Sequence, residues 1–335
     1  MPDYSDMIAA IVQDINLREA ALPLKNEACR SRFLLHPQPT SKVCLFFHGF
    51  TAAPYQFEPL GQALFDAGYN VITPLQPGHG QAGDWGRNNP PPLPEEIEVY
   101  QQFALDWLHQ AQALGERVVV GGLSSGATLA AWLALEKPQQ IDRTLLFAPY
   151  ISGGNRVMNW FVQILPYYFE WMNKELPGNF GYDGFRIPAL RIFLELGRTV
   201  VDRIKQAPIA PLFVLSSEDD HATNANEHRE LFESALHHQP QSWYHSFDES
   251  LNIPHTMMTK SEGNQYQDLL ITLAKAFIES DLTWAELRAI GQQMLNGKPF
   301  EKAVADLNLG DRVVPELSVM MSVLDPSLII APPAS

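Results

Sequence analysis

Cysteine is scarce in this chain, and so is positive charge. Its 335 residues include two cysteines, Cys29 and Cys44, too few for a disulfide framework and without metal-binding spacing. Cys44 lies in an apolar run and reads as a small buried hydrophobe. Lys and Arg number 23 against 38 Asp and Glu, a formal net charge of −15. With no local basic cluster to reverse it, that balance argues against nucleic acid and against an anionic bilayer as a resting place. No uninterrupted apolar run approaches the length of a membrane span. Internal repeats and low-complexity tracts are lacking too. The first residues carry Asp3, Asp6 and Asp14 in place of a basic start and apolar core, so no leader is expected and the expected location is the cytoplasm.

What is present is enough apolar sequence for a sizeable core, 46% hydrophobic against 18% charged. The most informative stretch is Arg117-Val-Val-Val-Gly-Gly-Leu-Ser-Ser-Gly-Ala127. Three consecutive valines read as a strand buried on both faces. The Ala- and Leu-rich run from Ala127 to Glu136 reads as a helix that stops before Pro138. Between them, Gly122, Ser124 and Gly126 fit G-x-S-x-G, a turn that lifts a serine hydroxyl out of the backbone. Centring the pattern on Ser125 would require glycine at Leu123, so the frame selects Ser124.

Around this stretch, strands alternate with helical patterns. Strands are expected at Arg32–Leu35, Val43–Phe47, Val71–Ile72, Thr144–Ala148, Leu212–Leu215 and Ser242–Phe247. Helices are expected over residues 5–19, Tyr55–Ala67, Pro94–Leu114, Asn224–Leu236 and Gln265–Ile278. Such alternation implies βα units and a mostly parallel sheet. It breaks between Tyr150 and Gln206, where an aromatic-rich insert reads as two or more helices around a Pro/Gly-rich middle, Leu176–Gly184. Beyond Asp281, helices are expected at Trp284–Leu295 and Phe300–Leu307, packing on the domain or on a second subunit.

A serine hydroxyl is a weak nucleophile and needs a base, an acid that orients the base, and donors for the oxyanion it creates. After Leu215 comes Ser216-Ser-Glu-Asp-Asp-His221, an acidic turn; Asp220 is the first choice for the acid, Asp219 the runner-up and Glu218 the third. For the base, His255 sits in a turn after the last expected strand, whereas His237 and His238 read as a helix-end pair and His245 as structural. The backbone N–H groups of Ser125 and Phe50 are the expected oxyanion donors, Phe50 lying in the His48-Gly49-Phe50-Thr51 loop. His48 and His79 are read as loop-bonding residues. The Asp219-Asp220-His221 run is too compact for a metal site, and neither metal nor cofactor is expected.

Taken together, His48-Gly-Phe-Thr51, Pro77-Gly-His-Gly80, Gly122-Leu-Ser-Ser-Gly126, the turn at Asp220 and His255 resemble the α/β-hydrolase superfamily, in its esterase and monoacylglycerol-lipase-like branch. The resemblance spans Val43 to Ile278. It implies an α/β fold with an eight-stranded, mostly parallel sheet, helices on both faces and an inserted, mainly helical cap. The implied division is a discontinuous core of 1–149 and 207–280, a cap of 150–206 and a helical extension of 281–335. It also implies the triad Ser124, Asp220 and His255 working through an acyl-enzyme. Two departures stand out: Ser-Glu-Asp-Asp replaces the commoner glycine-containing turn, and the chain continues past the usual last helix.

Aromatic residues of the insert, Trp160, Tyr168, Phe169 and Phe185, are the expected pocket, with Met158 and Met172 nearby in sequence. They favour an ester with an apolar acyl or aryl group. A small-molecule ester is the expected partner, with transient contact to a lipid interface and a homodimer both open. The alternatives are an amidase or aminopeptidase on the same triad, with Glu170 and Glu175 meeting a substrate amine, and a catalytically silent binding protein on the same scaffold.

Overall fold

The computed structural model describes residues 3–151, 167–171 and 180–323. Seven strands form one sheet: β1 (Arg32–Leu34), β2 (Lys42–Phe47), β3 (Asn70–Thr73), β4 (Arg117–Leu123), β5 (Arg143–Phe147), β8 (Leu212–Ser217) and β9 (Trp243–Phe247). Their order is β1-β3-β2-β4-β5-β8-β9, and every neighbouring pair is parallel except β1 against β3. The eight strands implied by the resemblance are therefore seven among the described residues. The chain before β1 is spent on helix α1 (Tyr4–Ala20) and a short turn at Glu27–Cys29. With apolar residues recurring at helical spacing, that segment has no alternation to support a further strand.

The sheet is covered on both faces, and the period-2 alternation of its strands sorts the side chains. Val43, Leu45, Phe47, Val118, Val120 and Leu146 face α3 (Ile97–Leu114) and α4 (Ser125–Glu136). Cys44, Phe46, Val119, Leu145 and Phe147 face α2 (Glu58–Asp66) and the later helix Gln267–Glu279. The valine run of β4 lies at the centre because two apolar layers surround it. Helix α4 is buried along its length up to Leu135, wedged between the sheet and the helix that ends the insert.

That insert is not helical throughout. Strand β6 (Tyr168–Glu170) pairs antiparallel with β7 (Gly184–Arg186), placing Phe169 opposite Phe185. Aromatic side chains suit such a half-buried ribbon. Helix α5 (Ile187–Ile204) follows, and its apolar stripe packs into the α3–α4 layer. Trp160, Met158, Met172 and Glu175 lie outside the described residues.

After α6 (Ala225–Leu236) and α7 (Gln267–Glu279), the tail forms α8 (Trp284–Leu295), α9 (Phe300–Asp306) and α10 (Pro315–Val323). It packs on its own domain: Leu287, Ile290, Val304, Leu317 and Met320 are buried in the same apolar cluster as Phe213 and Phe277. Arg312 fastens it, donating from Nε to Asp281 Oδ1 at 2.8 Å and also pairing with Glu286. Among the described residues no helix is long and apolar enough to cross a membrane.

Candidate active site

The site begins where β4 turns into α4. Ser124 has φ 56° and ψ −118°, a left-handed conformation that costs a non-glycine residue about 1–3 kcal/mol and persists only when its surroundings enforce it. Here its N–H donates to Phe147 O at 2.9 Å, and its carbonyl accepts from Thr128 N at 3.0 Å and Tyr150 N at 3.1 Å. The flanking glycines are needed for clearance. A Cβ on Gly122 would stand 2.3 Å from the Gly126 backbone, and one on Gly126 would stand 2.2 Å from Phe47 O. Strand and helix therefore cross at a separation that no larger residue permits.

The acidic turn after β8 places its three carboxylates differently. Glu218 is exposed. Asp219 is half-buried, with His221 Nε2 at 3.9 Å. Asp220 turns inward, its side chain 2% exposed. Its Oδ1 accepts from Ala222 N at 2.8 Å, and its Oδ2 accepts from Thr223 Oγ1 at 2.6 Å. Burial alone would raise its pKa. His255 beside it and these donors outweigh burial and hold the carboxyl well below the usual carboxylate range.

His255 comes from the loop after β9. That loop is tied to β8, since Ser217 Oγ donates to Ile253 O at 2.7 Å. The imidazole Nδ1 lies 2.8 Å from Asp220 Oδ2, and Nε2 lies 2.9 Å from Ser124 Oγ. An ionised carboxylate only accepts, so the ring proton sits on Nδ1 and the Nε2 lone pair faces the serine hydroxyl. Three side chains from the carboxyl ends of β4, β8 and β9 thus meet in one line. Asp219 and Glu218 are left outside it.

The two expected oxyanion donors follow from register. Strands β2 and β4 are adjacent and parallel, with Phe47 paired to Gly122. Phe50 and Ser125 lie three residues beyond these partners, past the same edge of the sheet. Among the described residues neither backbone N–H is engaged by another group. The loop carrying Phe50 is held by its histidines. His48 Nε2 accepts from Gln76 N at 3.0 Å, leaving Nδ1 to donate to Gly49 O at 3.0 Å. His79 Nε2 accepts from Thr51 N at 3.2 Å, leaving Nδ1 to donate to Pro77 O at 3.0 Å. Burial pushes His48 well below the ordinary imidazole range and His79 down to about 4, so both are neutral.

The insert reaches the same loop. Trp171 Nε1 donates to Thr51 Oγ1 at 2.9 Å, and Tyr182 N donates to Thr51 O at 2.8 Å. The Phe185 ring meets Phe50 edge-on with centroids 4.9 Å apart, and Phe169 lies 5.6 Å from Phe185. Two of the expected pocket residues, Phe169 and Phe185, are therefore joined to the loop carrying Phe50. Tyr168 points to the opposite face from Phe169, as neighbouring strand residues do. It lines a separate cavity of about 350 Å³ with Arg87, Pro90, Tyr167 and Arg186.

Three participants escaped the sequence reading. Thr223 caps Asp220 in an Asp-x-x-Thr turn, a spacing visible in the sequence. His228 is buried behind the acid, with Nδ1 2.8 Å from Ser216 Oγ and Nε2 2.8 Å from Pro149 O. Glu262 is buried near the loop carrying Phe50, bonded to Gln56 and Tyr55. Nothing in the local sequence marks the last two.

Residues 42–202 match the sequence model of the alpha/beta hydrolase fold family. A curated relative, the putative esterase/lipase 3 of Mycoplasma pneumoniae, is 28% identical over 124 residues, covering 37% of this chain and 42% of the relative. The match thus spans less than half of that relative's length. Among solved structures, one from work on LipS and LipT, two metagenome-derived lipolytic enzymes, gives a TM-score of 0.60 at 16% identity, over 75% of this chain and 98% of that one. The monoacylglycerol lipase of Paleococcus ferrophilus gives 0.57 at 15% identity, over 73% and 95%.

Proposed function

We propose that this chain, which has the α/β-hydrolase fold of the esterases and lipases it resembles, is a serine hydrolase cleaving carboxylic esters with an apolar acyl or aryl group. The observation that carries the reading is the unbroken line from Ser124 Oγ through both ring nitrogens of His255 to Asp220, at 2.9 Å and 2.8 Å.

In the proposed reaction Ser124 Oγ attacks the ester carbonyl carbon while its proton passes to His255 Nε2. The carbonyl oxygen becomes an oxyanion received by the N–H groups of Phe50 and Ser125. Asp220, ionised and fixed by Thr223 and Ala222, stabilises the imidazolium and keeps its ring orientation. The intermediate collapses, the alkoxide leaves with the proton from Nε2, and Ser124 stays acylated. Water then attacks the acyl-enzyme with His255 as base, releasing the acid and restoring the serine hydroxyl.

The substrate class rests on the aromatic group above the oxyanion loop, Phe50, Phe169, Trp171 and Phe185. Apolar rings at that place favour an acyl or aryl group over a small polar one. Within this reading, 150–206 is the cap, 281–335 an extension whose described part, up to Val323, packs on the core, and the remainder the catalytic domain. The test is ester turnover by the wild type and by Ser124→Ala, assayed with a p-nitrophenyl ester. Wild-type turnover that vanishes in the variant supports the reading, and equal rates refute it.

A further inference from the structure

We infer that Gln56 and Glu262 are positioning residues that hold the His48–Gly49 peptide, directly before the Gly49–Phe50 peptide on the oxyanion side, and join it to the loop carrying His255. The inference rests on the hydrolase reading for its purpose, though not for its geometry.

Glu262 is 7% exposed and has no ion-pair partner among the described residues. Its carboxylate accepts only from neutral donors: Gln56 Nε2 at 2.7 Å and Tyr55 OH at 2.9 Å on Oε1, and Thr259 Oγ1 at 2.9 Å on Oε2. A carboxylate removed from water without a cation is costly, and a neutral side chain would fill the space more cheaply. Burial pushes the Glu262 carboxyl up, and the donors Gln56, Thr259 and Tyr55 pull it back down; in the carboxylate form it adds direction, because it accepts hydrogen bonds and cannot donate them.

That direction is passed on. The Gln56 amide, 1% exposed, presents Nε2 to Glu262 and so must turn Oε1 the other way, where it accepts from Gly49 N at 2.8 Å. The fit is tight, since a Cβ on Gly49 would stand 3.3 Å from that same Oε1. The two peptide units flanking the Gly49 Cα are then both fixed. In the first, His48 O accepts from Gln76 Nε2 while Gly49 N–H is held by Gln56. In the second, Gly49 O accepts from His48 Nδ1 and from Ala52 N at 3.1 Å. A trans peptide is planar, so anchoring the Gly49 carbonyl aims the Phe50 N–H in the opposite direction. Glycine is the residue with most freedom to lose here, and preorganised donors are what oxyanion stabilisation requires.

The other end of the pair lies in the base's own loop. Thr256, next to His255, donates from Oγ1 to Glu262 O at 3.2 Å, and Asn264 Nδ2 donates to Met257 O at 2.6 Å. One buried carboxylate therefore sets the base loop against the oxyanion loop, across 206 residues of sequence.

The test is a polarity swap. In Glu262→Gln the acceptor-only partner is lost. In Gln56→Glu two carboxylates face each other. The double variant restores one acceptor for Gly49 N–H and one donor to it, with the hydroxyls of Tyr55 and Thr259 free to donate or accept. Losing an oxyanion donor outright costs about 100- to 1,000-fold in kcat, so misaiming one in Glu262→Gln is expected to cost about tenfold, with KM within about twofold. Affinity for an alkylboronic acid, whose tetrahedral adduct mimics the oxyanion, should fall by a similar factor. Gln56→Glu should lose more, and the double variant should return to within about threefold of wild type. Hydrogen exchange at the Gly49 amide, which needs no activity, should quicken in each single variant and slow again in the double. Should Gln56→Glu fail to fold, Glu262→Gln decides. Wild-type kcat, boronate affinity and Gly49 exchange in that variant overturn the inference, as does a double variant no better than Gln56→Glu. An inert wild type in which Gly49 exchange still responds would remove the hydrolase reading and leave the clamp standing.

Discussion

His255 Nδ1 lies 2.8 Å from Asp220 Oδ2, joining two loops at the carboxyl edge of neighbouring strands β9 and β8. The contact decides which of three adjacent acids holds the ring. Asp220 is buried and already engaged by Thr223 and Ala222, whereas Asp219 stands beside the exposed His221.

The first prediction follows from that difference. Asp220→Asn should lower kcat by about 10⁴-fold, as loss of the orienting carboxylate does in triad enzymes. Asp219→Asn should stay within about twofold of wild type, because surface changes away from such contacts have small effects. Steady-state rates on one p-nitrophenyl ester compare the two, and a larger loss at Asp219 would reassign the acid.

Backbone clearance at the elbow supplies a second prediction. Gly126→Ala would drive a Cβ to 2.2 Å from Phe47 O, where backbone meets backbone and neither can yield cheaply. A loss of at least about 3 kcal/mol is expected, at the upper end of single-substitution effects. Gly310→Ala meets nothing within 4 Å and should be nearly neutral. Urea midpoints measure both, and a stable Gly126→Ala protein would contradict the crossing geometry.

Buried neutral histidines set a pH dependence of stability. Burial pushes His79, His228 and His245 each down to about 4, against about 6.5 in an unfolded chain. Below pH 6.5 the unfolded state binds more protons than the native state, so stability is full above that value and is lost as pH falls toward 4. Each group contributes a slope of up to about 1.4 kcal/mol per pH unit within that window. His245 makes no hydrogen bond to Ser124, Asp220 or His255 among the described residues, and its Nε2 has no hydrogen-bond partner there. His245→Phe should therefore lose about 2 kcal/mol less than wild type between pH 7 and pH 4.5. Equal losses in denaturant titrations would show that this ring does not stay neutral.

The aromatic ring system packed on Phe50 predicts a substrate preference. In a p-nitrophenyl series, kcat/KM should rise from acetate to longer or aryl chains by about tenfold or more, each buried methylene adding about 0.8 kcal/mol. Phe185→Ala should flatten the trend, since Phe185 bridges Phe50 to Phe169 and Trp171. A series that peaks at acetate would sink the apolar-pocket assignment.

Local chemistry made much of this legible in the sequence. The elbow could be read because the two glycines and the serine act within five residues, and the valine strand before them is buried on both faces. Asp220 and His255 could be read as ends of strands in a parallel sheet, where such residues gather on one edge. Other features depend on contacts that no local pattern encodes. The β6–β7 ribbon depends on Phe169 pairing with Phe185, a partner distant along the chain. That the described residues form seven sheet strands where eight were implied depends on α1 and the turn at Glu27–Cys29 occupying the chain before β1. Tyr168 left the expected pocket because the ribbon's register turned it to the other face. The tail's docking depends on Arg312 reaching Asp281, 31 residues away. Gln56 and Glu262 are further still, and each alone looks like an ordinary polar residue.

The most direct measurement of the central claim is the site of covalent modification by a fluorophosphonate. The reagent gives up fluoride to an activated serine hydroxyl and leaves a stable phosphonyl group on its oxygen. The account predicts one adduct per chain, mapped by peptide mass spectrometry to Ser124 and missing in His255→Ala. An unmodified Ser124 in folded protein, or an adduct on another serine, would contradict it.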